Sequence, residues 1–288
     1  MRFFNFSKMN GAGNDFILFD FISDDKMKLT SDEIVSLCDR KKGIGADGVL
    51  LLFRSEEACF FVDFYNSDGK PGSLCGNGAR CVIRYAYEKG LYNSNPLIFK
   101  FGDTVYKGEI EESGLPKFFL NPPAKLKTGF QIKVADSFIT SHFCDTGSPH
   151  VIIELCEAPI NAPIPFEKYK ELSDLPVSLL GKEIRYHKDF APSGVNVNFI
   201  KVIDEHNLEI RTYERGVENE TDACGTGSSA AAVVSFALGK CKPPVRLLTK
   251  SGDYLTVDFN IIDNKLENLS LTGPAEINFN GSVQLIYK

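Results

Sequence analysis

Apolar residues in this chain gather in short runs broken by Gly, Asn and Asp: "RFFNFSKM" from Arg2, "FILFDF" from Phe16, "GVLLLF" from Gly48 and "ACFFVDFYN" from Ala58. Later come "NVNFIKVI" from Asn196, "NLEIRTYE" from Asn207, "YLTVDF" from Tyr254 and "SVQLIY" from Ser282. Their aromatic and β-branched content predicts strands joined by turns. Four stretches predict helices instead. One starts at Thr30, where Thr30 and Glu33 form a capping box ahead of Ile34, Val35 and Leu37. A second follows Cys75, a third follows Cys224, and "PFEKYKEL" from Pro165 is the fourth. The prolines in "NPPAKLKTGF" from Asn121 predict a linker between domains.

Two of these helices share a context. Around Cys75 the order is strand, loop, Cys-Gly-Asn-Gly, helix and then Gly90; around Cys224 it is strand, loop, Cys-Gly-Thr-Gly, helix and then Gly239. Each cysteine lies 15 positions before its glycine, about four helical turns. Nine positions before each cysteine a polar residue ends a strand, Asn66 in one half and Arg215 in the other. The chain therefore reads as two copies of one unit. The segment "SSAAAVVSFALG" is apolar on nearly every face, as is much of "CVIRYAY", and such a helix has to be enclosed. The expected fold class is α+β: two pseudo-symmetric domains, each a mixed, largely antiparallel β-sheet or barrel wrapped around a central helix. The N-terminal domain spans 1–122 and is rejoined by a C-terminal strand at about 273–288, and the C-terminal domain spans 123–272. The active site is expected in the cleft between them.

Composition narrows the function. With 43% hydrophobic and 24% charged residues over 288 positions, the chain has the apolar mass of a globular protein. A net charge of -6 with scattered basic residues argues against a nucleic-acid partner. No run of about 18 apolar residues predicts a membrane span, and "MRFFNFSKMNGAGNDF" lacks a signal-peptide core, so a cytoplasmic location is expected. There the eight cysteines should be free thiols. Five residues separate Cys75 from Cys81, which is not zinc-ligand spacing, and no dinucleotide or Walker glycine pattern follows a strand. Neither metal nor cofactor is expected, and the chemistry falls to side chains.

A thiol in "SLCGNGARC" has a specific use. The first turn of a helix leaves N–H groups unpaired and carries the positive end of the macrodipole. Glycines let a carboxylate reach those groups, and the same field lowers the pKa of a thiol at its edge. Two such sites facing one small molecule could invert a stereocentre. One thiolate would remove the proton α to a carboxylate while the other thiol protonates the opposite face. The two thiols would titrate as a coupled pair in a cleft that closes to exclude water.

The motifs "SKMNGAGNDF", "DFYNSDG", "LCGNGARC", "GVNVNFI" and "YERGVENETDACGTGSSAAA", in this order and over the whole chain, resemble those of the diaminopimelate epimerases, cofactor-independent enzymes that interconvert LL- and meso-diaminopimelate. The resemblance implies that Cys75 and Cys224 are the catalytic bases. It implies that Gly76, Asn77, Gly225 and Thr226 cradle the reacting carboxylate. Asn14, Asn66, Asn196, Glu214 and Arg215 match residues that hold the substrate's amino groups and distal carboxylate, and His150 in "GSPHV" matches a histidine near the reacting centre. Arg215 suits a bidentate carboxylate pair, and Glu214 and the asparagines suit an ammonium. A homodimer in lysine and peptidoglycan precursor synthesis is also implied. Two positions depart from the pattern: Ser148 stands where many members carry Asn, and Gly48 where some carry Gln.

Other readings of the same residues are simpler. Cys38, Cys59, Cys81, Cys144, Cys156 and Cys241 read as packing residues, and His142, His187 and His206 take no role. Asn14 would also suit a left-handed turn, and His150 a hydrogen-bonded core position. A proline or hydroxyproline racemase of the same fold would use the same thiol pair, but needs a small apolar pocket where this chain offers "YERG" and asparagines. A thiol redox sensor would show a resolving cysteine, and an amino-acid-binding module has no use for two matched bases.

Overall fold

A computed structural model describes residues 2–23, 27–72, 76–92, 95–134, 137–155 and 169–285. The chain divides into two compact units, Met1–Phe119 with Thr272–Lys288, and Leu120–Leu271.

In the first unit the strands are β1 (Arg2–Gly11), β2 (Asn14–Phe21), β3 (Gly48–Phe53), β4 (Phe61–Asn66), β5 (Leu97–Phe101), β6 (Thr104–Ile110), β7 (Pro116–Phe119) and the returning β17 (Glu276–Leu285). They pair in the order β17-β1-β2-β3-β4-β5-β6-β7. All pairs are antiparallel except β2/β3 and β4/β5. A parallel step needs a crossover, and each here carries a helix: α1 (Ser31–Cys38) after β2 and α2 (Gly76–Lys89) after β4.

The second unit repeats that plan. Its strands are β8 (Lys125–Val134), β9 (Ser137–Asp145), β10 (Pro149–Glu154), β11 (Asn196–Asp204), β12 (Asn207–Glu214), the short β13 (Asn219–Thr221), β14 (Val245–Leu248), β15 (Tyr254–Ile262) and β16 (Lys265–Thr272). The pairing runs β8-β9-β10-β11-β12-β14-β15, with β13 beside β12. The parallel steps are again the third and fifth strand junctions of the plan, β10/β11 and β12/β14. They are bridged by α3 (Val177–Arg185) and α4 (Gly225–Ala237).

In each unit the second helix touches strands from both ends of the pairing order, β17, β1, β6 and β7 for α2 and β8, β9 and β15 for α4. Each sheet therefore curls around its helix, as the periodicity predicts. From Gly225 to Ser235 every residue of α4 is buried, and α2 is buried from Gly76 to Ile83. The two helices also end alike. Leu91 N–H reaches Ala86 O at 2.9 Å and Gly90 N–H reaches Tyr87 O at 3.2 Å; Lys240 N–H reaches Ser235 O at 2.9 Å and Gly239 N–H reaches Phe236 O at 2.8 Å. This is the Schellman closure, with Gly90 at φ 65° and Gly239 at φ 71°.

The other face of each sheet carries the first helix. In the second unit Val151, Ile153, Val197, Phe199 and Tyr213 pack with Leu180 and Ile184 of α3. Alternation then sends His150, Asn196, Asn198 and Thr212 to the opposite face. In the first unit Ile17, Phe19, Val49 and Leu51 pack with Ile34 and Leu37 of α1. Strands covered on both faces read as continuous apolar runs, which explains "GVLLLF".

Two expectations changed, and a third falls partly outside the described residues. The capping box at Thr30 and Glu33 is present, but Val35 points to solvent. In the stretch read as a linker, Lys125–Phe130 is the start of β8, where strand pairing with β9 outweighs the effect of the preceding prolines. The helix expected from Pro165 falls on residues of which 165–168 lie outside the described set, and the helix seen in that region is α3.

Candidate active site

Cys224 is the N-cap of α4, 7% exposed, with φ -127° and ψ 111° and no side-chain cap bond. The first-turn N–H groups of Gly225, Thr226 and Gly227 are thus uncapped by it, which suits an incoming carboxylate. Gly227 is obligatory: a Cβ there would stand 2.3 Å from Asn198 Oδ1 and 3.3 Å from Cys224 Sγ. Thr226 Oγ1 lies 3.6 Å from Cys224 Sγ. It is also 3.0 Å from His150 Nε2 and 3.2 Å from Ser148 Oγ, and the Thr146 hydroxyl donates to Thr226 O at 2.9 Å. His150 is fully buried. Burial, and after it the charge of Arg215, push its pKa from 6.5 down to about 3, so the ring is neutral at physiological pH.

Beside this cluster Asn196 donates from Nδ2 to Pro149 O at 3.1 Å and accepts the Arg215 N–H on Oδ1 at 2.8 Å. That bond fixes the backbone where β12 ends. Glu214 Oε2 accepts the Thr221 hydroxyl at 3.0 Å. The Arg215 guanidinium is half-buried and has no hydrogen-bond or ion-pair partner among the described residues, leaving its fork open to a carboxylate.

The first unit builds its helix start differently. Asn77, buried in the first turn of α2, donates from Nδ2 to Asn14 Oδ1 at 2.5 Å and accepts Arg80 Nη2–H on Oδ1 at 3.0 Å. Arg80 also donates to Gly76 O at 3.3 Å and is fully buried. Asn14 passes the chain on to Asp47 Oδ2 at 3.0 Å. Behind it Asp15 meets Lys8 at 2.5 Å and Arg40 at 2.7 Å. Burial works to raise the Asp15 pKa, but its bonds to Arg40 and Lys8 outweigh that and hold it below 3.8. Gly11 closes the packing, since a Cβ there would come within 2.9 Å of Asn77 O.

Cys75 lies outside the described residues, as does Cys156. Of the other positions named from sequence, Gly76, Asn77 and Asn14 come together in the first unit, and Ser148, His150, Asn196, Cys224, Gly225 and Thr226 in the second. Asn66 ends β4 opposite Gly48 with its side chain exposed. No longer side chain fits at 48, where a Cβ would be 2.5 Å from both Phe64 Cε2 and Tyr65 O. Ser148 Oγ lies 2.9 Å from His150 Nε2 and is the hydroxyl link in the cluster. Sequence reasoning missed Arg80, Asp47, Asn198 and Thr212. The signal for Arg80 was an arginine inside an otherwise apolar helix face. Burial raises the thiol pKa of Cys38 to about 11, Cys144 to about 12 and Cys241 to about 11, as befits packing residues.

The family model for diaminopimelate epimerase matches residues 6–117 and 162–277, well over half of the chain. The chain belongs to the diaminopimelate epimerase family. Among the relatives, a diaminopimelate epimerase of Chlorobaculum tepidum is 39% identical over 279 residues, covering 96% of this chain and 100% of the relative. One from Aquifex aeolicus is 38% identical, with 96% of each chain covered. The fold is shared more widely than the family. A Bacillus anthracis phenazine biosynthesis protein of the PhzF family superposes with a TM-score of 0.71 at 15% identity, over 99% of this chain and 100% of that one. A hydroxyproline epimerase from Agrobacterium vitis superposes at 0.67 with 17% identity, over 98% and 92%. These two likenesses match the expected α+β, sheet-rich architecture and speak for the fold alone. No helix among the described residues is long and apolar enough to cross a membrane.

Proposed function

We propose that this protein is a cofactor-independent isomerase that interconverts LL- and meso-diaminopimelate by a two-base thiol mechanism, with Cys75 and Cys224 as the bases. The reaction serves lysine and peptidoglycan precursor synthesis. The observation that carries the reading is the near full-length match to diaminopimelate epimerases in a chain whose Cys224 caps a glycine-rich, buried helix start.

In one direction a thiolate removes the α-proton and becomes a thiol. The C–H electron pair delocalises into the carboxylate, whose growing charge is met by first-turn N–H groups. The second cysteine, beginning as a thiol, protonates the opposite face and ends as a thiolate. Protons balance over the pair, and the reverse reaction exchanges the roles. The chemistry needs both sulfurs on opposite faces of one α-carbon, with water excluded. Gly76, Asn77, Gly225 and Thr226 line the carboxylate cradle, and Arg215 pairs with the distal carboxylate. Asn14, Asn66, Asn196 and Glu214 receive the ammonium groups. We place the enzyme in the cytoplasm as a homodimer.

The test is proton NMR of LL-diaminopimelate with reduced protein in D2O, beside proline and hydroxyproline. Loss of the α-proton signal with growth of the meso isomer, for diaminopimelate alone, is the expected result. Exchange confined to proline or hydroxyproline would overturn the substrate, and the open Arg215 fork argues against that outcome.

A further inference from the structure

We propose that Asn198 is a positioning residue that fixes His150 as its Nε2–H tautomer and so turns the Thr226 hydroxyl into a hydrogen-bond donor to Cys224. The inference rests on Cys224 being one of the two bases, and it explains how this half of the site backs that sulfur.

The register of the sheet makes the contact. Parallel pairing sets His150 of β10 against Asn196 of β11, and Asn198, two residues on, shares their face. Asn198 Nδ2 lies 3.1 Å from Val151 O and 3.1 Å from His150 Nδ1. A backbone carbonyl can only accept, so the amide nitrogen is the atom facing it, and the other side of the amide takes the Thr212 hydroxyl on Oδ1 at 3.0 Å. The second N–H of the amide then donates to Nδ1. A neutral imidazole that accepts on Nδ1 carries its proton on Nε2.

From there every proton runs one way. Nε2–H faces Ser148 Oγ at 2.9 Å and Thr226 Oγ1 at 3.0 Å. The Ser148 hydroxyl, accepting from the ring, has Thr226 Oγ1 at 3.2 Å for its own proton. Thr226 Oγ1 thus accepts by either route, and its one proton is left for Cys224 Sγ at 3.6 Å. Arg215 opposes protonation of the ring, and the Glu214 carboxylate accepts from Thr221. A hydroxyl donating to the sulfur favours the thiolate when Cys224 acts as base. When Cys224 acts as acid, it keeps the thiol proton turned away from Thr226. With the opposite tautomer Nε2 would compete for the Thr226 proton and the sulfur would lose its donor.

The experiment is 15N NMR of the histidine ring nitrogens in the full-length protein, with His150 assigned by subtraction against His150→Gln. The wild type should show a pyridine-like Nδ1 and a pyrrole-like Nε2. A pyrrole-like Nδ1, or two pyrrole-like nitrogens, overturns the proposal without any variant at Asn198. Asn198→Asp presents only acceptors, so it should invert the tautomer and slow alkylation of Cys224 by iodoacetamide roughly tenfold at pH 7.5. In turnover kcat should fall by roughly tenfold to a hundredfold, with KM changed by less than about threefold. A folded Asn198→Asp protein that keeps the Nε2–H signature, or that keeps wild-type alkylation after inversion, refutes it. Should that variant not fold, the wild-type spectrum alone decides. The ring spectrum and the alkylation rate need no substrate, so a failure of the tautomer claim is distinct from a failure to exchange diaminopimelate.

Discussion

The starts of α2 and α4 share a topology and differ in chemistry. Both follow a strand, both begin Cys-Gly-x-Gly, both lie inside a curled sheet and both end in a Schellman glycine. Behind α2 stands a buried cation: Arg80 grips Asn77, which grips Asn14, which binds Asp47. Behind α4 stands a neutral cluster of Ser148, His150, Thr226 and Asn198. The repeated topology gives the two helix starts the same place in their units, and the local polar backing gives each a different environment. A two-base reaction wants this division, because its bases must be alike in position while their protonation states differ at any instant.

The largest effect belongs to the thiols: Cys75→Ala and Cys224→Ala should each lower kcat by at least about a hundredfold with the thermal midpoint kept, read by NMR turnover and circular dichroism. Equal and near-complete loss in both would mark the halves as partners, and full activity in either would break the pair. Next comes Arg80→Met, which removes the buried donor to Asn77 Oδ1 and should cost roughly 2–3 kcal/mol in chemical denaturation. Gly227→Ala drives a methyl into Asn198 and should cost about 1–3 kcal/mol while lowering kcat. A Gly227→Ala protein with unchanged stability and turnover would show that α4 is not packed as described.

A smaller effect appears with pH. Folded His150 resists protonation until about pH 3, whereas the unfolded chain takes up that proton near 6.5. The unfolded state therefore binds more protons below 6.5, and stability should fall as the pH drops from there towards 3. His150→Gln should flatten that part of the denaturation midpoint against pH, and an unaltered slope would remove His150 from the account. The smallest effect is Ser148→Ala, about 1 kcal/mol, since Nε2 of His150 still reaches Thr226 directly. A loss of turnover as large as that of the cysteine variants would make the serine a necessary link.

Much of this was legible in the sequence because it depends on local chemistry. Thr30 with Glu33 announces α1, and the two glycines that close α2 and α4 announce their ends. Other elements carry no such signal. Helix α3 follows Pro176 with no side-chain cap bond, and β13 is three residues long. The first half of β8 is exposed, so it shows no apolar alternation to read. The site divides in the same way. The cysteines and their glycines are adjacent in sequence, but Asn198 meets His150 only because β10 and β11 pair in parallel across 48 residues. Arg80 looks like a solvated helix residue until the sheet is seen to close around it. No pattern along one strand records which strand lies beside it.

The most direct test of the two-base account is the fate of the α-proton in the first turnovers of LL-diaminopimelate in D2O. Two monoprotic thiols predict that the meso product already carries deuterium at the inverted carbon while unreacted LL substrate keeps its protium. Meso product that retains the substrate's own proton, or deuterium appearing equally in recovered LL substrate, would mean that one base serves both faces and would contradict the account.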